Sequence, residues 1–195
     1  MEVPLPASGL GLLDSPCLFP TPPSIISSSV NIDGVVPSIP PRIEQTLAQQ
    51  DDERVWFIYL ADVFSQARLA PALDDPQRGT YLRWLVFYAA CFEPALGDRA
   101  MQRAPAPRAQ SPYADYDTTV NAITQALRPG PWLLGQRFSA ADVLWGNALR
   151  WVTGFGMVEA TPVIADYIER VTSRPAEQRA VKANEALAAG MGLAG

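Results

Sequence analysis

Histidine is absent from this chain of 195 residues. Its absence excludes an imidazole general base, a Ser-His-Asp triad, a Cys-His pair and any metal site built on histidine. Catalysis by this chain must therefore use groups other than imidazole. We expect no bound metal.

Positive charge, cysteine and long apolar runs are also scarce. The net charge is -5, which leaves no basic excess to neutralise phosphates or anionic lipid head groups, so we expect neither nucleic acid nor membrane partners. Cys17 and Cys91 are too few for the disulfide framework of a small secreted domain. Residues 1–41 lack the basic residues of a signal peptide, and no apolar run reaches the roughly 18 residues of a membrane span. We therefore expect a cytoplasmic protein.

The chain divides into two regions of different character. Residues 1–41 hold many of the 19 prolines, which remove backbone donors and disfavour long regular elements. Apolar residues then recur at helical spacing. The turn signal Asp74-Asp75-Pro76 marks a linker at 67–76, which separates an N-terminal segment at 1–66 from an all-helical domain at 77–195. The predicted helices are 51–65, 78–96, 113–127, 139–155, 162–173 and 175–189.

The strongest local pattern is Leu-Leu-Gly-x-x-Phe-Ser-x-Ala-Asp at 133–142. It predicts a capping box, in which the Ser139 hydroxyl accepts from the backbone of Asp142 and the Asp142 carboxylate accepts from the backbone of Ser139. Phe138 and Val143 flank the box at the positions of a hydrophobic staple. These four residues predict the start of a buried helix, and we expect Ser139 and Asp142 to be structural rather than chemical.

This pattern resembles the start of the sixth helix of glutathione S-transferases. The resemblance covers about 55–187, with further similarity to bacterial members at 81–84 and 174–180. It implies a mainly α fold class, in which the helical C-terminal bundle of the family follows a degenerate or truncated thioredoxin-like α/β segment. Two βαβ units of ~30 residues each would fill nearly all of residues 1–66, which is why we expect the N-terminal segment to be shortened or altered.

The resemblance implies a glutathione site within that N-terminal segment. Val36 and Pro37 are similar to the family's Val-Pro stretch, whose cis-proline presents a backbone amide to glutathione, although an ordinary turn proline stays open. Asp52 and Glu53 fall where the family binds the γ-glutamyl group. Glu53 departs from the usual serine, and its charge would repel that group's carboxylate unless the helix N-terminus compensates.

The thiol-activating residue is not identified. Asp14-Ser15-Pro16-Cys17 resembles the family's Ser-Pro or Cys-Pro turn, but Ser15 and Cys17 lie too close to Pro37 for a complete βαβ unit between them. We therefore favour the reading that Ser15 and Cys17 are loop residues. Tyr81, Trp84 and Tyr88 could line a pocket for an apolar co-substrate or belong to the core.

Two functions stay open. One is a dimeric transferase that adds the thiol of glutathione, its co-substrate, to small electrophilic molecules, as in detoxification. The other is a binding or scaffold protein that keeps the helical domain and has lost the thiol-activating site, with an altered N-terminal reading frame as one origin of the proline-rich segment.

Overall fold

The structure, a computed structural model, describes residues 53–190, with side chains from residue 57 onward except those of 187, 188 and 190. This region is helical, and its β structure is limited to two isolated bridges, Trp132 with Gly135 and Leu134 with Arg137. The mainly α fold class is thereby confirmed for the described residues. The α-helices are α1 Glu53–Val63, α2 Arg78–Phe87, α3 Glu93–Ala100, α4 Tyr116–Leu127, α5 Ala140–Gly154, α6 Pro162–Thr172 and α7 Pro175–Gly190, and short 3-10 helices lie at Ser65–Ala67 and Arg108–Gln110.

Helices α2 and α3 form one rod that is longer than the predicted segment 78–96. A turn of π-helix at Tyr88–Phe92 joins them, and the Glu93 N–H donates to the Tyr88 carbonyl five residues back. Pro94, in the first turn of α3, explains the widened turn. Because proline has no N–H to give to the carbonyl four residues earlier, a regular α-helix would be strained there, whereas a wider turn tolerates the ring.

Helix α4 begins at Tyr116 rather than at the predicted residue 113. The carboxylate of Asp115 accepts the Thr118 N–H at 2.8 Å and the Thr118 hydroxyl at 3.0 Å, which is the geometry of an N-cap. These hydrogen bonds hold the pKa of Asp115 below its usual value, with the backbone amide of Thr118 as the largest cause. A capping aspartate thus fixes the start of this helix.

Trp145 of α5 lies at the centre of the core and has no exposed surface. Its indole N–H donates to the Trp84 carbonyl at 3.0 Å. Four aromatic rings surround it at centroid distances between 4.8 and 6.3 Å, those of Phe92, Tyr88, Trp84 and Phe87. Rings at this spacing in edge-on and offset arrangements add to the stabilisation from burial, so α2, α3 and α5 share one apolar centre.

Helices α5 and α6 approach closely at Gly146. A Cβ atom at this position would lie 2.6 Å from both Cγ atoms of Val171, whose side chain is itself buried. Only glycine therefore allows the two helices this separation.

In the described part of the chain, no helix is long and apolar enough to cross a bilayer.

Candidate functional site

The predicted glutathione residues fall mostly outside the described part of the chain. Val36, Pro37 and Asp52 lie there, as do Ser15 and Cys17. Glu53 is the first residue of α1, and its backbone is described without its side chain. The structure therefore describes the helix to which the γ-glutamyl prediction refers, and the predicted site itself stays a prediction.

The three aromatic candidates for an apolar pocket differ in their surroundings. Tyr81 is fully buried, and its hydroxyl reaches the Phe57 carbonyl at 3.4 Å. Trp84 is buried against Trp145. Tyr88, in the π-helical turn, is half-buried. The structure thus places Tyr81 and Trp84 in the core and leaves Tyr88 at its edge.

The segment before α5 forms a dense network of hydrogen bonds around one carboxylate. The capping box between Ser139 and Asp142 is present in both directions. The Asp142 carboxylate accepts the Ser139 N–H at 2.9 Å and the Ser139 hydroxyl at 3.0 Å. Both residues are completely buried. A helix start without solvent needs such partners, because its first N–H groups have none within the helix.

Two further donors reach the same carboxylate from outside the capping box. The Leu133 N–H and the Tyr167 hydroxyl both donate to Asp142 Oδ1, each at 2.9 Å. Burial raises the pKa of Asp142, while the four donors act in the opposite direction. Burial and the neighbouring carboxylate raise the pKa of Tyr167 well above its ordinary value, so its hydroxyl keeps the proton that it donates. Asp142 thus ties α5, α6 and the preceding loop to one point.

Phe138, the residue before the cap, is held by aromatic and cationic partners. Its ring meets that of Trp132 edge-on at 4.8 Å, and the Arg174 guanidinium lies 3.7 Å from the ring centroid. Val143, its predicted staple partner, is half-buried. Local sequence indicated Phe138 as a packing residue, whereas the contact with Arg174, from the start of the last helix, is long-range.

The linker is held by hydrogen bonds from the helical domain. Three consecutive carbonyl groups, those of residues 69–71, accept from it, and we call these residues the linker strap. The Leu69 carbonyl accepts the Ala140 N–H of α5 at 2.8 Å. The Ala70 carbonyl accepts Arg137 Nη2 at 2.8 Å, and the Pro71 carbonyl accepts Arg78 Nη1 at 3.0 Å. A segment with turn composition is therefore a fixed part of the fold.

Both arginines also bind a carboxylate. Arg78, the first residue of α2, forms a bidentate pair with Asp62 near the end of α1, with both N–O distances at 2.7 Å. Arg137 binds Asp75 at 2.8 Å. The hydrogen bond to Asp62 raises the pKa of Arg78 above its already high ordinary value. Planar guanidinium groups suit this double role, because one fork can serve a carboxylate and a carbonyl together.

An open groove of about 520 Å³ lies between α3 and residues 101–117. Its charged groups have partners within the fold. Asp98 accepts the Tyr113 hydroxyl at 2.6 Å and pairs with Arg103 at 3.3 Å. Arg99 lies over the Tyr116 ring at 4.1 Å. Among the side chains that the structure describes, no three His, Cys, Asp or Glu residues form a group able to hold a metal ion.

Comparison with known proteins places the chain beside bacterial transferases. No family model matches it. It is 28% identical over 128 residues to glutathione S-transferase GstA of Escherichia coli O157:H7, a match that covers 64% of this chain and 63% of that protein. The chain thus spans less than two thirds of the length of this curated relative.

Solved structures similar to this chain are also glutathione transferases. A glutathione transferase of Methylococcus capsulatus strain Bath superposes with a TM-score of 0.55 at 29% identity, covering 69% of this chain and 68% of that one. A sphingomonad glutathione S-transferase, complexed with glutathione, gives a TM-score of 0.54 at 25% identity, covering 70% and 68%. The sequence similarity and the helical fold therefore point to the same group of proteins.

Proposed function

Because the chain belongs to the glutathione S-transferase superfamily, we propose that it binds reduced glutathione and conjugates it to small electrophilic molecules. The observation that carries the proposal is the glutathione complex of a structural neighbour that superposes on 70% of this chain. In the proposed reaction the thiolate sulfur forms a bond to an electrophilic carbon, a leaving group departs with the bonding electron pair, and the thiol proton passes to solvent.

The glutathione site that we propose includes Val36, Pro37, Asp52 and Glu53. The backbone at Val36 and Pro37 would pair with the cysteinyl part of the tripeptide. Asp52 precedes α1 in the sequence and Glu53 is the first residue of α1, and the free N–H groups and the dipole at a helix start favour the γ-glutamyl carboxylate. With no histidine in the chain, the thiolate is stabilised by a hydroxyl or by backbone amides.

For the electrophile we propose the surface beside the π-helical turn. Tyr88 is half-buried there, next to the half-buried Phe87 and Cys91. Tyr81 and Trp84 are buried beneath this surface, and their packing supports the turn. Aromatic side chains of this kind suit an apolar co-substrate. Burial raises the pKa of the Cys91 thiol, which keeps it protonated and unsuited to be the nucleophile.

We expect immobilised glutathione to retain the purified chain, and free glutathione to elute it. The eluted protein should then conjugate a generic aromatic halide, followed by the absorbance of the product. Retention without turnover would favour the scaffold function, in which the binding site persists without thiol activation. Absence of both would remove the transferase proposal.

We further propose that the protein is a cytoplasmic homodimer that uses the outer face of α2. Val86 is 57% exposed on this face and Leu82 is half-buried beside it, so a second copy would remove apolar surface from water. Light scattering after size exclusion should report a dimer for the wild type and a monomer for Val86→Arg. Leu73→Arg, which changes an exposed leucine in the linker, is the matched control. A monomeric wild type would contradict the dimer.

A further inference from the structure

The linker strap accepts hydrogen bonds from three donors that come from separate places in the helical domain. These are a backbone amide at the start of α5, the Arg137 guanidinium from the loop before α5, and the Arg78 guanidinium at the start of α2. All three distances lie between 2.8 and 3.0 Å. Gln77, directly before α2, binds the loop before α5, since its Nε2 donates to the Leu134 carbonyl at 3.2 Å. The strap is therefore hydrogen-bonded both to the start of α2 and to the residues around the start of α5.

The hydrogen bonds of Arg78 also connect the linker strap to α1. Helix α1 ends at Val63, only six residues before the strap begins, and it packs against α5. Asp62 in its last turn receives both Nη atoms of Arg78, the same guanidinium that binds the Pro71 carbonyl. The Arg78 side chain is 12% exposed, whereas the Asp62 side chain is 39% exposed, so the ion pair is partly accessible to solvent. One half-buried arginine thus binds both the C-terminal end of α1 and the strap.

Arg137 completes the arrangement from the opposite side. It binds the Ala70 carbonyl and the Asp75 carboxylate, and the second oxygen of that carboxylate accepts the Gln77 N–H at 2.8 Å. The chain on both sides of Pro71 is thereby held to the loop that carries the capping box. If Arg137 were lost, the Ala70 carbonyl and Asp75 would lose a charge-assisted partner, and the strap would keep only its bonds to Ala140 and Arg78.

We propose that Arg78 and Arg137 are positioning residues that set the orientation of α1 on the helical domain, and through α1 the affinity for glutathione. The proposal rests on the proposed function, because the N-terminus of α1 is the part of the described structure assigned to the γ-glutamyl group. Neither arginine is assigned a contact with glutathione. Their effect passes through the strap and Asp62 to the helix.

The kinetic test compares Arg137→Gln and Arg78→Gln with the wild-type full chain. We expect the KM for glutathione to rise roughly tenfold, because misorientation of α1 removes ground-state contacts to the tripeptide, whereas the KM for the aromatic halide stays within about twofold. Arg137→Lys keeps the charge but not the fork and should give an intermediate value. Arg150→Gln, an exposed arginine on α5, is the control. An unchanged KM for glutathione in both variants would overturn the proposal.

A second measurement needs no ligand and separates this proposal from the proposed function. Amide hydrogen exchange of Arg137→Gln should be about tenfold faster in α1, with α4 and α6 unchanged, because the local opening energy of α1 falls. Asp75→Asn serves as a milder variant if Arg137→Gln does not fold. If the wild type fails to bind glutathione but α1 exchanges faster in the variant, the proposed function is wrong, whereas the positioning role of Arg137 is supported. Unchanged exchange in α1 would contradict that positioning role.

Discussion

Asp142→Ala is expected to lower the free energy of unfolding by about 4 kcal/mol, because several buried donors lose their common acceptor. The Leu133 and Ser139 amides and the Ser139 and Tyr167 hydroxyls all point at this carboxylate from 2.9 to 3.0 Å. A buried donor without an acceptor costs about 1–3 kcal/mol, and the alanine side chain offers no replacement. Urea unfolding followed by far-UV circular dichroism measures this loss.

Two companion variants make the Asp142 prediction specific. Tyr167→Phe removes a single donor and should cost about 1–2 kcal/mol. Asp166→Ala removes an exposed carboxylate from the neighbouring position on α6 and should stay within about 0.5 kcal/mol of the wild type. If Asp142→Ala were no more damaging than Asp166→Ala, the network around the start of α5 would not be a main source of stability.

Gly146→Ala is expected to destabilise the protein by about 2 kcal/mol through overpacking. The new Cβ would lie 2.6 Å from the Val171 side chain, which is buried and β-branched and so has little freedom to move aside. The gain of about 1 kcal/mol that alanine usually brings to a helix interior would be overcome by the clash. Thermal and urea unfolding of the variant test the sign of this difference.

The same substitution elsewhere on α5 is the control. Gly154 is the last residue of α5, and a Cβ atom added there would meet no other atom within 4 Å, so Gly154→Ala should be neutral or stabilising. Val171→Ala should remove the clash, and the double variant with Gly146→Ala should show a favourable coupling of at least about 1 kcal/mol. Additive effects in this cycle would mean that the two side chains do not compete for the same space.

The sequence predicts much of the helical domain because its signals are local. Spacing of apolar residues locates the α-helices of the described region to within a few residues, with α2 and α3 predicted as one segment, and the capping pattern at 139–142 marks where α5 begins. The same apolar spacing does not predict the helix boundaries accurately. The π-helical turn before Pro94 and the capping role of Asp115 shift two helix boundaries, because both depend on backbone geometry beyond periodicity.

The contacts that hold the site together were missed, since they join residues far apart in the chain. Tyr167 reaches Asp142 across 25 positions, and Arg137 reaches the Ala70 carbonyl across 67. Composition reads 67–76 as a linker, whereas the structure shows consecutive carbonyls bonded to the helical domain. Carbonyl groups carry no sequence signal, so only an arginine without an obvious local partner could have pointed to the strap.

Titration calorimetry of the full chain with reduced glutathione tests the central claim most directly. We expect saturable binding that is lost when the γ-glutamyl group is removed, as in a titration with cysteinylglycine. A flat titration with glutathione, from protein whose circular dichroism shows the folded helical domain, would contradict the proposed glutathione site.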